Sequence, residues 1–78
     1  MSDAQMVVIE YRKPDGGFIR SDRFHVLRVP VVGEEVWDAP DRTTYVVSNV
    51  SWDRDYKDAE WLTPVVTVTA KPDWEQDR

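Results

Sequence analysis

The chain has 78 residues, 41% of them hydrophobic and four of them tryptophan, so it can form one small domain with a thin core. It contains no cysteine, which excludes disulfides, thiolate–metal sites and thiol nucleophiles. The net charge is −5: residues 1–33 carry four acids and five bases, whereas residues 34–78 carry eleven acids and five bases. The acidic second half disfavours contact with a nucleic-acid backbone and favours a protein partner with a basic surface.

The chain begins MSDAQMVVIEYR, in which no basic region precedes an apolar core and charge resumes at Glu10. This stretch predicts neither a signal peptide nor a membrane anchor, and we therefore expect a cytoplasmic protein. We expect a single domain over residues 1–70, followed by a charged C-terminal tail over residues 71–78.

Hydrophobic residues recur with a period of two along most of the chain, which predicts β-strands. The first strand spans residues 5–12, where Val7, Ile9 and Tyr11 share one face. The KPDGGF stretch that follows predicts a hairpin, with Pro14 in a type I turn and a glycine in the left-handed conformation.

The second strand is predicted from Phe18 to Val29, with a bulge or bend near Ser21–Arg23. A turn around Gly33 separates it from a short third strand, Glu34–Trp37. The stretch TTYVVSNVSW, residues 43–52, is rich in β-branched and aromatic residues and predicts the fourth strand.

Strict alternation along the fourth strand places Trp52 on the face opposite Tyr45 and Val47. The fifth strand is predicted at residues 62–70, and the connection before it includes a short helical turn in residues 55–62. Five short strands joined by tight turns predict an all-β fold, a small closed or half-closed barrel of antiparallel strands.

Two stretches carry a recurring pattern, Pro-x-x-Gly-Glu-x-Val at residues 30–36 and Tyr-x-Val-x-x-Val-x-Trp at residues 45–52. Their order resembles that of small SH3-like barrel proteins of bacteriophage and bacterial accessory type. The resemblance covers residues 24–70. It implies an SH3-like barrel and points to a phage or bacterial accessory protein, and it implies no catalytic residue and no particular partner.

The connection before the fifth strand, SWDRDYKDAEWLTP, combines aromatic and acidic side chains. Protein interfaces favour tryptophan and tyrosine surrounded by charge, and long connections concentrate functional residues. We therefore expect this segment to bind a protein with a basic surface. In the alternative interpretation, its tryptophans close the barrel end and its acids only solvate the connection. The predicted partner-binding residues are Trp52, Asp53, Asp55, Tyr56, Asp58, Glu60, Trp61 and Trp37.

Glu34 and Glu35 extend this surface in the prediction, next to Trp37. Trp37 lies near Pro40, and an aromatic side chain beside a proline can line a groove for an extended peptide. The alternative is that Trp37 packs under the adjacent turn.

The sequence predicts no enzyme, no catalytic residue, no metal site and no cofactor. Asp53 and Asp55 begin like a calcium loop, but Lys57 occupies the third ligand position and no glycine follows. His25 is the only histidine, and residues near it on a strand cannot all point together. Adjacent exposed acids lack the cleft that acid–base catalysis requires.

The predicted function is a non-enzymatic protein-binding module, compatible with a phage protein that inhibits a host protein. A nucleic-acid-binding barrel is the first alternative, since a stripe of Arg12 and Arg20 on one face of the basic hairpin would suit a phosphate backbone. The second is a self-assembling structural subunit, a homo-oligomer in which the basic hairpin of one copy meets the acidic segment of another.

Overall fold

The computed structural model describes residues 4–53 and 63–76. These residues form five strands, and a 3-10 turn, Asp73–Glu75, follows the last of them. The all-β prediction is confirmed, and each predicted strand end lies within three residues of the observed one. The strands are β1 (Gln5–Arg12), β2 (Phe18–Val26), β3 (Glu35–Asp38), β4 (Thr43–Asp53) and β5 (Thr63–Ala70).

The strands form one mixed sheet in the order β2-β1-β5-β4-β3. Three neighbouring pairs are antiparallel, but β1 and β5 run parallel, with Ile9 opposite Val66. The prediction of a fully antiparallel sheet is therefore wrong at the β1–β5 pair. A period of two residues shows which side chains share a face, but it does not report which strands become neighbours or in which direction they run.

The sheet curls into a half-barrel whose concave face carries the core. Two tyrosines anchor it: the rings of Tyr11 and Tyr45 meet edge to face with centroids 5.0 Å apart. Such a pair contributes ~0.5–1.5 kcal/mol beyond its area burial. The core residues come from β1, β4 and β5 and are Val7, Ile9, Tyr11, Tyr45, Val47, Val66, Val68 and Ala70.

The predicted hairpin between β1 and β2 is confirmed. The Gly16 N–H donates to the Lys13 carbonyl at 2.8 Å, and the Lys13 N–H donates to the Gly17 carbonyl at 2.7 Å. The Asp15 carboxylate accepts the Gly17 N–H at 2.8 Å. Gly16 has a φ of 94°, a left-handed conformation that favours glycine because it has no Cβ.

The irregularity in β2 lies nearer to the hairpin than predicted. The register shifts between Tyr11 and Arg12, which leaves Ile19 as the extra residue, whereas pairing is regular through Ser21–Arg23. The predicted position of the bulge is therefore wrong. Because Arg20 is the partner of Tyr11, Arg20 and Arg12 lie on opposite faces of the sheet.

Arg20 connects the two edge strands, β2 and β3, across the open side of the half-barrel, which we call the seam. Its guanidinium binds Asp22 on β2 at 3.0 Å, Asp38 on β3 at 2.9 Å and Asp41 in the following turn at 3.4 Å. The same group lies over the Tyr11 ring, 3.9 Å from the centroid. One side chain therefore holds two strands together that do not pair through their backbones.

Tyr45 and Asp41 complete this cluster. The Tyr45 hydroxyl donates to the Asp41 carboxylate at 2.6 Å. Burial, followed by the hydrogen bond to Asp41 and the charge of Asp41, raises the pKa of Tyr45 to about 12. Partial desolvation opposes ionisation of Asp41, but hydrogen bonds from Tyr45 and Arg20 outweigh it and lower the pKa of this carboxyl. At neutral pH the Asp41 carboxyl is therefore ionised beside the Arg20 cation.

The segment after β5 returns to the sheet through Gln76. The Gln76 side-chain oxygen accepts the Thr44 N–H at 2.8 Å, and its amide nitrogen donates to the Thr44 carbonyl at 3.0 Å and the Lys71 carbonyl at 2.8 Å. Trp74, in the 3-10 turn, is 84% exposed. The end of β5 is thus fixed by a glutamine, while the neighbouring tryptophan faces solvent.

We expect Arg20→Met to lower the free energy of unfolding by ~1–2 kcal/mol, because it removes the cation–π contact and leaves partly buried aspartates without their cation. Arg23→Met is the matched control, since Arg23 is an exposed arginine on the same strand. Urea unfolding of the two variants measures the difference. Equal stabilities would contradict the role assigned to Arg20.

Candidate binding surface

A bulge in β4 determines the direction of Trp52. The pairing of β4 with β5 shifts between Val47 and Asn49, so Ser48 is an extra residue. Alternation restarts after it, and Val50 and Trp52 fall on the same concave face as Val47. The prediction that Trp52 lies on the face opposite Val47 is therefore wrong, because it assumed an uninterrupted period of two.

Trp52 lies at the end of the concave face, beside the connection between β2 and β3. Together with that connection it forms an apolar groove of about 310 Å³, which we call the Trp52 groove. Half of Trp52 is exposed, as are 57% of Val31 and 63% of Val32. Apolar side chains this exposed and this close together are typical of a contact surface. The groove is lined by Val29, Pro30, Val31, Val32, Val50 and Trp52.

A tight turn presents Val31 and Val32 to solvent. The Glu34 N–H donates to the Val31 carbonyl at 3.1 Å, which closes the turn, and the Gly33 N–H donates to the Val47 carbonyl of β4 at 2.9 Å. Gly33 has a φ of 99°, which a residue with a Cβ rarely adopts. The positive φ therefore explains why a glycine occupies this position of the Pro-x-x-Gly-Glu pattern.

The Glu34 carboxylate stabilises the same turn. It accepts two hydrogen bonds from the Arg28 guanidinium, at 2.9 and 2.7 Å, and one from the Val31 N–H at 2.7 Å. These bonds, that of Arg28 first, lower the pKa of Glu34 to about 2. Glu35 binds Lys71 at 2.6 Å. Both glutamates of the predicted extension are therefore paired with cations of the chain itself.

The structure does not bring Trp37 together with Trp52. Trp37 is paired with Thr44, and its neighbour Val36 is paired with Tyr45 of the core. Because successive residues of a strand point to opposite faces, Trp37 lies on the convex face and Trp52 on the concave one.

The acidic part of the predicted surface begins directly after the Trp52 groove. Asp53 is the last residue of β4 and is paired with Thr63. The predicted contact residues Asp55, Tyr56, Asp58, Glu60 and Trp61, and the predicted helical turn in residues 55–62, lie outside the described residues.

The basic residues of the first hairpin do not form the stripe expected for a nucleic-acid surface. Arg12 binds Glu10 and lies over the Phe18 ring on one face, whereas Arg20 binds its aspartates on the other. Arg28 is held by Glu34. Three of the five bases of the first 33 residues are thus already bound to carboxylates.

Sequence reasoning missed a second groove, of about 680 Å³, at the seam between β2 and β3. Its charged residues meet across 18 and 21 positions of the sequence, from Arg20 to Asp38 and to Asp41. No local pattern reports such a pairing. The seam groove is lined by Arg20, Asp22, Arg23, Phe24, Asp38, Pro40 and Asp41.

We expect the turn below the Trp52 groove to weaken in acid. The pKa of Glu34 falls from its ordinary 4.5 to about 2 on folding, so its ionised form stabilises the fold above pH 4.5, and this contribution disappears as the pH falls from 4.5 towards 2. Glu34→Gln should therefore be less stable than the parent at pH 7 and approach it at pH 2.

Urea unfolding at both pH values measures this effect, with Glu75→Gln as a control at an exposed acid. A stability difference between Glu34→Gln and the parent that is the same at both pH values would contradict the role of the Glu34 carboxylate.

No helix among the described residues is long and apolar enough to cross a membrane, and no cluster of acidic or histidine side chains among them is placed to hold a metal ion. Comparison with known proteins adds no family: no family model, curated protein or solved structure matches this chain.

Proposed function

We propose that this protein is a non-enzymatic protein-binding module and that its partner presents a basic surface around an apolar anchor. The observation that carries the proposal is the position of Trp52, half exposed in an apolar groove at the end of β4 where the acidic segment, residues 53–61, begins. A tryptophan in an apolar groove next to charged residues has the composition of an interface centre and its rim.

The charges of the acidic segment supply the second part of the argument. Within nine residues it contains four acids and two bases, and it belongs to a half of the chain with a charge of −6. Such a field increases the rate at which a basic partner is encountered, and burial of Trp52 then slows dissociation. Binding should therefore weaken as the salt concentration rises.

The resemblance to small SH3-like barrel proteins of phage type extends this proposal. On that basis the protein acts in the cytoplasm, that of the host if a phage encodes it, and occupies a basic site of a host protein. A basic protein surface is often a nucleic-acid site, so inhibition by occupation is the role we assign. The nucleic-acid-binding alternative has less support, because Arg12, Arg20 and Arg28 already bind carboxylates.

Affinity capture from bacterial lysate tests the proposal with four baits. They are the parent chain, Trp52→Ala, a charge-reversed chain with lysine at positions 53, 55, 58 and 60, and Trp74→Ala. The last is a matched control, because Trp74 is an exposed tryptophan that follows the opposite end of β5. Circular dichroism first establishes that all four fold. A captured protein is identified by mass spectrometry, purified and titrated against each bait.

We expect a protein that binds the parent and Trp74→Ala with equal affinity, and that binds Trp52→Ala and the charge-reversed chain at least tenfold more weakly. Loss of a central tryptophan typically costs 2 kcal/mol or more, which is roughly thirtyfold in affinity. A partner that binds all four baits equally would place the contact elsewhere. If the parent chain captures no partner and its mass in light scattering rises with concentration, self-assembly would be favoured instead.

A further inference from the structure

The outer edge of β2 carries a row of backbone groups that no strand of the described chain pairs. In the hairpin, the Lys13 N–H donates to the Gly17 carbonyl and the Lys13 carbonyl accepts the Gly16 N–H, so both backbone groups of Lys13 point towards the β2 side. Backbone groups in an antiparallel ladder alternate in direction, so the residues of β1 opposite Arg20, Asp22 and Phe24 also bond to β2. The backbone groups of the residues between and after them point outward, and these are Ser21, Arg23 and His25.

This row is exposed and long enough to accept a strand. β2 has nine residues, none of them buried, and it is the first strand in the sheet order. The other edge strand, β3, has only four residues. Protein recognition by strand addition uses such an edge, with backbone hydrogen bonds for affinity and alternate side chains for specificity.

The side chains along β2 define what an added strand would carry. Arg23 lies on the convex face, paired with Val8 of β1, and none of the ion pairs between described residues involves it. Phe24 lies on the concave face and lines the seam groove, with 38% of its surface exposed. An acid opposite Arg23 and an apolar side chain next to Phe24 would complement the two faces.

Pairing with a second copy of β2 is less favourable. Two copies of β2 could pair antiparallel around a two-fold axis. If the axis passes through Arg23, all three outward residues pair, but Arg23 lies directly opposite Arg23 of the other copy. If the axis passes through Asp22, the two copies of Asp22 lie opposite each other. Like charges directly opposite destabilise a strand pair. A register centred on Phe24 avoids this clash but uses only Arg23 and His25. The edge is therefore better suited to a strand of different sequence.

We propose that the outer edge of β2 binds an extended segment of another protein as an antiparallel sixth strand, with an acidic side chain opposite Arg23 and apolar side chains on the Phe24 side. This site is separate from the Trp52 groove. The segment that it binds carries an acidic side chain, whereas the partner expected at the Trp52 groove is basic. Binding at one surface does not require binding at the other.

A pair of capped seven-residue peptides tests the proposal. One alternates valine and threonine and has glutamate at its centre in place of a threonine, and the other has lysine there. Each is titrated into the ¹⁵N-labelled protein, and amide hydrogen exchange is measured residue by residue. The protein variants are Arg23→Glu, which reverses the charge, and Ser21→Pro, which removes an outward N–H that β1 does not use.

We expect the glutamate peptide to bind about fivefold more tightly than the lysine peptide and to slow exchange at Ser21, Arg23 and His25. Arg23→Glu should reverse the preference, and Ser21→Pro should abolish binding of both peptides while the β1 amides stay protected. Failure of both peptides to protect these amides at millimolar concentration would overturn the proposal. So would an unchanged preference in Arg23→Glu, or protection of the same amides by self-association without peptide.

Discussion

The parallel pairing of β1 with β5 is the constraint on which the rest of the fold depends. It joins the first hairpin to the other three strands in one sheet, so that β1 and β5 bury Val7, Ile9, Val66 and Val68. It also leaves β2 and β3 as the edges. Since the sheet curls, these edges approach each other, and Arg20 connects them through carboxylates rather than through backbone pairing.

Both proposed surfaces follow from this arrangement. β1 pairs with β2 on one side and with β5 on the other, so β2 is paired on its inner side only and its outer backbone groups have no partner among the described strands. At one end of β4, the Ser48 bulge turns Trp52 towards the concave face, where the Val31–Glu34 turn supplies the opposite wall of the groove. The outer edge of β2 and the Trp52 groove share no residue. The first is expected to bind a segment with an acidic side chain and the second a partner with a basic surface.

Local features of the fold could be predicted from the sequence. The KPDGGF hairpin was predictable because glycine is the residue that tolerates the conformation of Gly16, and the strands were predictable because the period of two is strong. Strand direction and the Arg20 contacts were not, since both depend on residues that are far apart in the sequence. For the candidate site, composition indicated Trp52. The bulge at Ser48 determines which face of the sheet Trp52 lies on, and a prediction from strict alternation cannot detect a bulge.

The parallel pairing and the open seam are tested most directly by backbone nuclear Overhauser effects between strands in solution. The mixed sheet should give contacts between Ile9 and Val66 and between Tyr11 and Val68 in a parallel pattern, and none between the backbones of β2 and β3. A continuous backbone ladder between β2 and β3, or an antiparallel pattern between β1 and β5, would contradict it. A ladder between β2 and β3 would close the barrel, so that the outer edge of β2 would be covered and the seam held by Arg20 would not exist. An antiparallel pattern between β1 and β5 would overturn the mixed sheet.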